Sequence, residues 1–168
     1  MDVGSVRTVP RFEDLYHAHR LAMVRLAVLL VDEQSVAEDV VQDAFMALHG
    51  KWGSLQDPHR ALGYLRVSVV NGSRSVLRRR RTARAYVPPY EPPGPSPEGD
   101  AVLAEDQREV LAAVRQLPER QRQVLVLRYW SDLSEAEIAT TLGISRGAVK
   151  STASRAMDKL ESILEGSR

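Results

Sequence analysis

The sequence contains no cysteine, which excludes disulfide bonds and metal or redox chemistry based on thiolates. It also lacks a long hydrophobic run, because the longest apolar stretch, Leu26 to Val31, is far too short to span a bilayer. Its first residues, MDVGSVRTVPRFEDL, do not combine a basic tip with an apolar core, as a signal peptide does. We therefore expect a soluble protein of the cytoplasm that does not insert into a membrane.

Motifs for catalysis and metal binding are missing as well. The sequence has no HExxH motif, no cysteine–histidine cluster, no glycine loop for phosphate and no context for a Ser–His–Asp arrangement. His17 and His19 lie close together, but no further candidate ligand is spaced with them on their predicted helix. We expect no metal, no cofactor and no enzymatic activity. A catalytic site assembled from scattered residues is the alternative that stays open.

Net charge is small too, at +1, so the total gives no sign of a nucleic-acid binder, and the distribution of charge matters more. No strand pattern occurs, which predicts an all-α protein. The segment Tyr86 to Gly99, YVPPYEPPGPSPEG, holds six of the nine prolines and predicts an extended, semi-rigid spacer. We expect two small helical domains, residues 1–86 and 101–168, joined by a Pro-rich linker at residues 87–100.

Residues 133–150 predict two helices separated by a tight turn. Ser134 and Glu137 form a capping box at the start of the first helix, and Gly143 can take a positive φ at its end. Ser145 caps the second helix, which extends to about residue 164. This order of cap, glycine turn and second cap is typical of a helix–turn–helix.

The second of these helices has two different faces. Its apolar side holds Val149, Ala153, Ala156, Leu160, Ile163 and Leu164. Small polar and basic residues lie on the opposite side: Lys150, Ser151, Ser154 and Arg155. Small side chains let a helix approach the major groove, where cations and hydroxyls meet base edges and phosphates. We favour a DNA-reading helix over the alternative, an amphipathic helix with a solvated face.

Two helices of the N-terminal half also carry charged faces. A capping box at Ser35 and Glu38 predicts a helix to about residue 49 with an acidic outer face formed by Glu38, Asp39, Gln42 and Asp43. Periodicity alone does not separate a docking face for a basic helix from a solvated face. Asp57 and Pro58 start a further helix, to about residue 81 or 84, whose polar band contains Asn71, Arg74, Arg78 and Arg81.

Arg78 to Arg81 form an unbroken basic run within that helix. Because consecutive arginines repel each other and gain from a polyanion, we favour nucleic-acid contact over a solvated basic helix end. Gly72, between Asn71 and Ser73, lowers the helix propensity of the same segment.

The chain resembles bacterial RNA polymerase sigma factors of the extracytoplasmic-function group (ECF, group 4). Their domain 4 is similar to LPERQRQVLVLRYWSDLSEAEIATTLGISRGAVKSTASRAMDKL, and their domain 2 to AEDVVQDAFMALHGKW and GYLRVSVVNGSRSVLRRRR. The resemblance covers about residues 12–84 and 102–164. The domain 4 motif alone is shared with response regulators, whereas two matching domains in this order are much more specific. The short form and DPHRALGYLRVSVVN are most similar to an actinobacterial, SigE-like subfamily.

The resemblance implies a dissociable polymerase subunit that selects promoters and helps to open the duplex. It implies that the −35 element is read in the major groove by Arg146, Lys150, Ser151, Ser154 and Arg155, with Arg146 placed for a phosphate. It implies that the −10 element is contacted by Trp52, Asn71, Arg74, Arg78 and Arg81, with a flipped base received by the neighbouring loop from Trp52 to Asp57.

The resemblance also implies partners. The clamp helices of the β′ subunit would bind Asp39, Gln42, Asp43 and Phe45, although Phe45 suits the core of its helix equally well. The β flap and an anti-sigma factor or other regulator complete the expected set. Two further hypotheses are a stand-alone DNA-binding regulator that uses only the C-terminal module, and an interaction protein held by an inhibitor. The sequence leaves open whether the two domains pack together in the free protein.

Overall fold

The computed structural model of the chain describes residues 8–84 and 105–167, and all regular structure within these ranges is helical. The seven α-helices of the described ranges are α1 (Phe12–Val31), α2 (Gln34–Lys51), α3 (Ala61–Arg84), α4 (Glu105–Arg115), α5 (Glu119–Tyr129), α6 (Glu135–Leu142) and α7 (Arg146–Gly166). Two short 3-10 helices, Trp52–Ser54 and Pro58–Arg60, connect α2 to α3. The all-α prediction is confirmed, and the predicted linker lies outside the described residues.

The N-terminal helices, α1 to α3, pack against one another in a bundle. Each contributes an apolar stripe, and the fully buried side chains include Leu30, Val41, Leu48, Leu65 and Val69. Asp57 accepts a hydrogen bond from the backbone N–H of His59, as its predicted role as an N-cap requires, and Pro58 follows it in the first turn.

The C-terminal helices, α4 to α7, form a second group in which α7 packs on α4, α5 and α6. A small cluster of Leu117, Leu125 and Ala156 lies between them. The N-terminal and C-terminal helices also pack on each other, through α1 against α5 and α3 against α6. One continuous apolar core therefore runs through both groups, joining Leu30 and Val70 with Val124 and Ile138. Among the described residues, no helix is both long and apolar enough to cross a membrane.

The predicted capping box at Ser35 is wrong. The N-cap lies two residues earlier, at Glu33, and α2 begins at Gln34, because Asp32 ends α1 in the left-handed region at φ 63° and Glu33 then turns to extended backbone at φ −138°. Glu33 is thus the N-cap residue, and Ser35 donates a hydrogen bond to its carboxylate. Glu38 accepts from the side chain of Gln34 instead of capping the helix.

Candidate nucleic-acid interface and docking surface

The turn between α6 and α7 is built by the capping residues that the sequence predicts. Ser134 Oγ accepts from the backbone N–H of Glu137 at 3.2 Å, and Glu137 Oε2 accepts from the backbone N–H of Ser134 at 2.8 Å. The bond from the backbone N–H of Ser134 to the carboxylate, and after it a hydrogen bond from the Ser134 side chain, hold the pKa of Glu137 below its usual range. Gly143 ends α6 at φ 66°, and Ser145 caps α7 by accepting from the N–H of Ala148. The helix–turn–helix geometry is confirmed.

Helix α7 turns its predicted reading face entirely to solvent. The side chains of Val149, Thr152, Ala153 and Ala156 are buried against the other C-terminal helices. All five residues predicted for the −35 element are exposed: Arg146, Lys150, Ser151, Ser154 and Arg155. An exposed cationic and hydroxyl-bearing face within the first turns of the second helix is the arrangement that enters a major groove.

The residues predicted for the −10 element do not form one uniform surface on α3. Asn71 and Arg78 are exposed and Arg74 is half-buried. Arg81 is exposed but forms an ion pair of 2.8 Å with Glu119 of α5. Trp52 is half-buried in its 3-10 helix, where its ring packs edge-on against Phe12 at a centroid distance of 5.6 Å.

One arginine of the basic run has a structural task. Arg80 donates to the backbone carbonyl of Val31 at 2.8 Å and to the carboxylate of Glu33 at 3.1 Å. These bonds fasten the C-terminal part of α3 to the connection between α1 and α2. The run Arg78 to Arg81 is therefore divided between exposed cations and cations that hold helices together.

The predicted docking surface on α2 needs one correction. Asp39, Gln42 and Asp43 are exposed on one face. Phe45 is only 2% exposed, and its ring lies 4.9 Å from that of Tyr16, centroid to centroid, so its alternative role in the core holds. Met46, which follows it, is 63% exposed and lies one helical turn from Gln42. Residues 39, 42, 43 and 46 share one exposed face at helical spacing, and this spacing is the sequence signal that could have added Met46 to the predicted surface.

Two acidic residues outside the predicted sites also make long-range contacts. Asp32 binds Arg122 of α5 at 2.7 Å, and Glu119 binds Arg81 of α3. Both pairs join the N-terminal helices to the C-terminal helices. No local pattern in the sequence indicates them, because the Asp32 and Arg122 side chains meet across a separation of 90 residues.

Both halves of the chain match known families. Residues 15–83 match the family described as Sigma-70 region 2, and residues 103–160 match the family described as Sigma-70, region 4. The RNA polymerase sigma-E factor of Streptomyces coelicolor is 34% identical over 157 residues, which cover 93% of this chain and 87% of that protein. The ECF RNA polymerase sigma factor SigM of Mycobacterium tuberculosis is 32% identical over 154 residues, covering 91% and 76%.

Solved structures agree with these similarities. CnrH, in complex with the cytosolic domain of CnrY, is 26% identical and superposes with a TM-score of 0.69 over 94% of this chain and 89% of that one. The sigma factor RpoE of Bartonella quintana, in complex with the anti-sigma factor NepR, is 24% identical with a TM-score of 0.74 over 94% and 98% of the two chains.

Proposed function

The chain belongs to the sigma-70 family of RNA polymerase sigma factors, in its extracytoplasmic-function group, and from this membership we propose which of its surfaces performs each task. It is a promoter-specificity subunit, which binds core RNA polymerase, recognises the −35 and −10 promoter elements and assists promoter melting. We assign residues 1–86 to domain 2, residues 101–168 to domain 4 and residues 87–100 to the linker. The family matches at residues 15–83 and 103–160 support this division.

We propose that α7 reads the −35 element. The observation that carries this assignment is the complete exposure of Arg146, Lys150, Ser151, Ser154 and Arg155 on a helix whose other side is buried. Lys150 and Arg155 supply positive charge for phosphates or guanine edges, and the serines keep the face thin enough for close approach. Arg146, at the first position of α7, is placed for a backbone phosphate.

We propose that α3 and the preceding 3-10 helix contact the −10 element. Asn71 offers an amide that can pair with a base edge, and Arg74 and Arg78 follow it at helical spacing. Trp52 presents an aromatic ring that is only half-buried, on which an unstacked base can stack. Such stacking stabilises the melted strand, since a flipped base regains the contacts that it loses in the duplex.

We propose that the outer face of α2 docks on the β′ clamp helices and that domain 4 meets the β flap. Asp39 and Asp43 give the α2 face its negative charge, Gln42 adds an amide, and Met46 supplies an exposed apolar side chain among them. Charge complementarity steers such encounters, and the buried apolar contact holds the complex once it forms.

We also propose that the protein acts in the cytoplasm and is bound there by an anti-sigma factor or a similar regulator. The similar protein CnrH is bound by the cytosolic domain of CnrY, which supports this partner class. Because relatives of this chain are sigma factors, we expect no catalytic activity of its own.

The experiment that tests the function is transcription from a pooled promoter library by core RNA polymerase with and without the protein. We expect promoter-dependent transcripts only when the protein is present, together with co-purification of the protein with core polymerase. Failure to bind core polymerase, combined with footprinting of duplex DNA by the protein alone, would instead support a stand-alone DNA-binding regulator.

A further inference from the structure

We propose that ion pairs between the N-terminal and C-terminal helices form a latch that holds the free protein closed, and that this latch occupies a promoter-facing arginine. The latch consists of Asp32 with Arg115 and Arg122, and of Glu119 with Arg81. The latch itself depends only on these contacts. Its consequence for promoter binding rests on the proposed function.

The first half of the latch gathers two cations around one carboxylate. Asp32 Oδ2 accepts from Arg122 Nη1 at 2.7 Å, and Asp32 Oδ1 lies 3.5 Å from Arg115 Nε. The side chains of Arg122 and Arg115 are only 13% and 21% exposed and that of Asp32 is 40% exposed, so these pairs are partly buried and salt screens them less than it screens pairs at an open surface. Arg122 also donates to the backbone carbonyl of Arg115, which fixes its position.

The backbone at Asp32 presents its carboxylate to those cations. The residue ends α1 in the left-handed region, which an aspartate adopts more readily than most residues without being as free there as glycine. Its carboxylate therefore lies at the C-terminal end of α1, where Arg122 of α5 contacts it.

The second half of the latch places a carboxylate on a predicted DNA contact. Glu119 Oε2 lies 2.8 Å from Arg81 Nη1, while Glu119 Oε1 accepts from the side chain of Gln123 at 3.2 Å. Gln123 is 2% exposed, so the buried amide orients the carboxylate toward α3. A carboxylate oxygen in this position satisfies the same guanidinium hydrogen bonds that a phosphate oxygen would accept. Glu119 and nucleic acid therefore compete for Arg81.

The closed arrangement also conflicts with simultaneous binding of both promoter elements. Their names place them about 25 base pairs apart, which is about 85 Å of duplex at roughly 3.4 Å per base pair. A compact body of this chain length has a radius of gyration of about 15 Å. The α3 and α7 surfaces can reach both elements only after the two groups of helices separate, which requires the latch to break together with the apolar contacts of α1 with α5 and of α3 with α6.

The latch is adjacent to the proposed docking helix. Glu33 follows Asp32, is the N-cap residue of α2 and binds Arg80, the neighbour of Arg81. A partner that docks on α2 thus acts on the helix that begins two residues after the latch carboxylate. This connection gives core polymerase a direct mechanical route to the latch.

A distance measurement in the free protein tests the latch. The chain has no cysteine, so cysteines introduced at two exposed positions, Ala18 of α1 and Ser162 of α7, can be labelled specifically with nitroxide spin labels. Pulsed electron–electron double resonance then measures the distance between the two labels. When the protein carries no substitution besides these two cysteines, we expect one population of molecules with a short distance between the labels. Asp32→Asn keeps a residue that tolerates left-handed backbone but removes the charge. It should raise the ratio of molecules with a long distance to molecules with a short distance about tenfold or more. Glu119→Gln should raise it less, up to about fivefold.

Matched substitutions serve as controls. Asp132 is also left-handed, at φ 53°, and forms no ion pair within the described part of the chain, so Asp132→Asn should leave the distances unchanged. Glu135→Gln removes a pair with Arg128 that lies entirely within the C-terminal helices, and should likewise change nothing. The latch is wrong if the labels are already far apart in the protein without these substitutions. It is also wrong if Asp32→Asn and Glu119→Gln both leave the short distance unchanged.

Competition for Arg81 has a separate readout. Fluorescence anisotropy with a short labelled single-stranded oligonucleotide should show a Kd several-fold lower for Glu119→Gln than for the unsubstituted protein. Adding Arg81→Gln should remove this gain. An unchanged Kd for Glu119→Gln would contradict the competition. Neither measurement contains polymerase, so a failed latch leaves the promoter-specificity function to be judged by transcription alone.

Discussion

Gly72 of α3 lies so close to Val40 of α2 that a Cβ atom at residue 72 would come within 2.9 Å of Val40 Cγ1. The sequence suggested that this glycine weakens α3, because glycine is a poor helix former. The structure gives the physical reason for its presence. The docking helix and the proposed −10 helix approach each other at this point, and only a residue without a side chain permits that approach.

Gly72→Ala should therefore destabilise the protein, although alanine is the better helix former. The β-branched side chain of Val40 cannot rotate away easily, so we expect overpacking of about 1–3 kcal/mol to exceed a propensity gain of about 1 kcal/mol. Chemical denaturation measures the difference. Gly63→Ala is the control in the same helix, since its Cβ would meet nothing within 4 Å, and it should stabilise the protein slightly. Equal stabilisation by both substitutions would contradict the close contact.

Lys150→Ala should weaken binding of a −35 duplex about tenfold at moderate salt, and should lower the salt dependence of binding by about one counterion if the lysine meets a phosphate. Lys159→Ala is the matched control. Lys159 is also exposed on α7, but it lies about two and a half turns further along, on the opposite side of the helix. Equal losses for the two lysines would show that general charge, and not the reading face, governs binding.

Met46 and Phe45 are neighbours in sequence, and we expect opposite consequences from their replacement. Met46→Ala should leave stability unchanged but weaken binding to core polymerase about tenfold, since burying a methionine contributes roughly 1.5–3 kcal/mol. Phe45→Ala should lower the free energy of unfolding by about 3–5 kcal/mol, because it opens a cavity in the core. Leu21→Ala, at another exposed apolar residue, should change neither property. Normal polymerase affinity for Met46→Ala would remove Met46 from the docking surface.

The capping box of α6 should make stability depend on acid pH. The hydrogen bonds from Ser134 lower the pKa of Glu137 in the folded protein, so the folded state favours the charged carboxylate. This contribution is present above the ordinary carboxyl pKa and is lost as the pH falls through the lowered value. Thermal unfolding of Glu137→Gln, compared with the unsubstituted protein, should show a smaller loss of Tm on acidification. Identical pH profiles would contradict the coupling.

Local chemistry in the sequence predicted the reading helix well. The N-caps Ser134 and Ser145 and the left-handed Gly143 make their capping hydrogen bonds with residues three or four positions away. The surrounding sequence pattern therefore predicts their roles correctly. The same rule failed at Ser35, because the left-handed turn at Asp32 makes Glu33 the N-cap and starts α2 two residues earlier. A capping pattern predicts a helix start only when the preceding backbone permits it.

Contacts across the chain were beyond sequence reasoning. Periodicity allowed Phe45 to be either core or surface, and only the packing of Phe12 and Tyr16 against it decides the matter. Arg80 and Arg81 look equivalent within a basic run, yet one binds Glu33 and the other Glu119. The partners of such residues depend on how the two groups of helices meet, which no local pattern encodes.

Run-off transcription with core polymerase tests the central claim most directly, by comparing Asp39→Arg/Asp43→Arg with Glu161→Arg/Glu165→Arg. Both pairs are exposed and four residues apart on one helix, so the two variants change charge equally and differ only in location. We predict that the α2 variant loses promoter-dependent transcripts and binding to core polymerase, while the α7 variant keeps both. Full transcription by the α2 variant, or equal loss by the two, would contradict docking through the acidic face of α2.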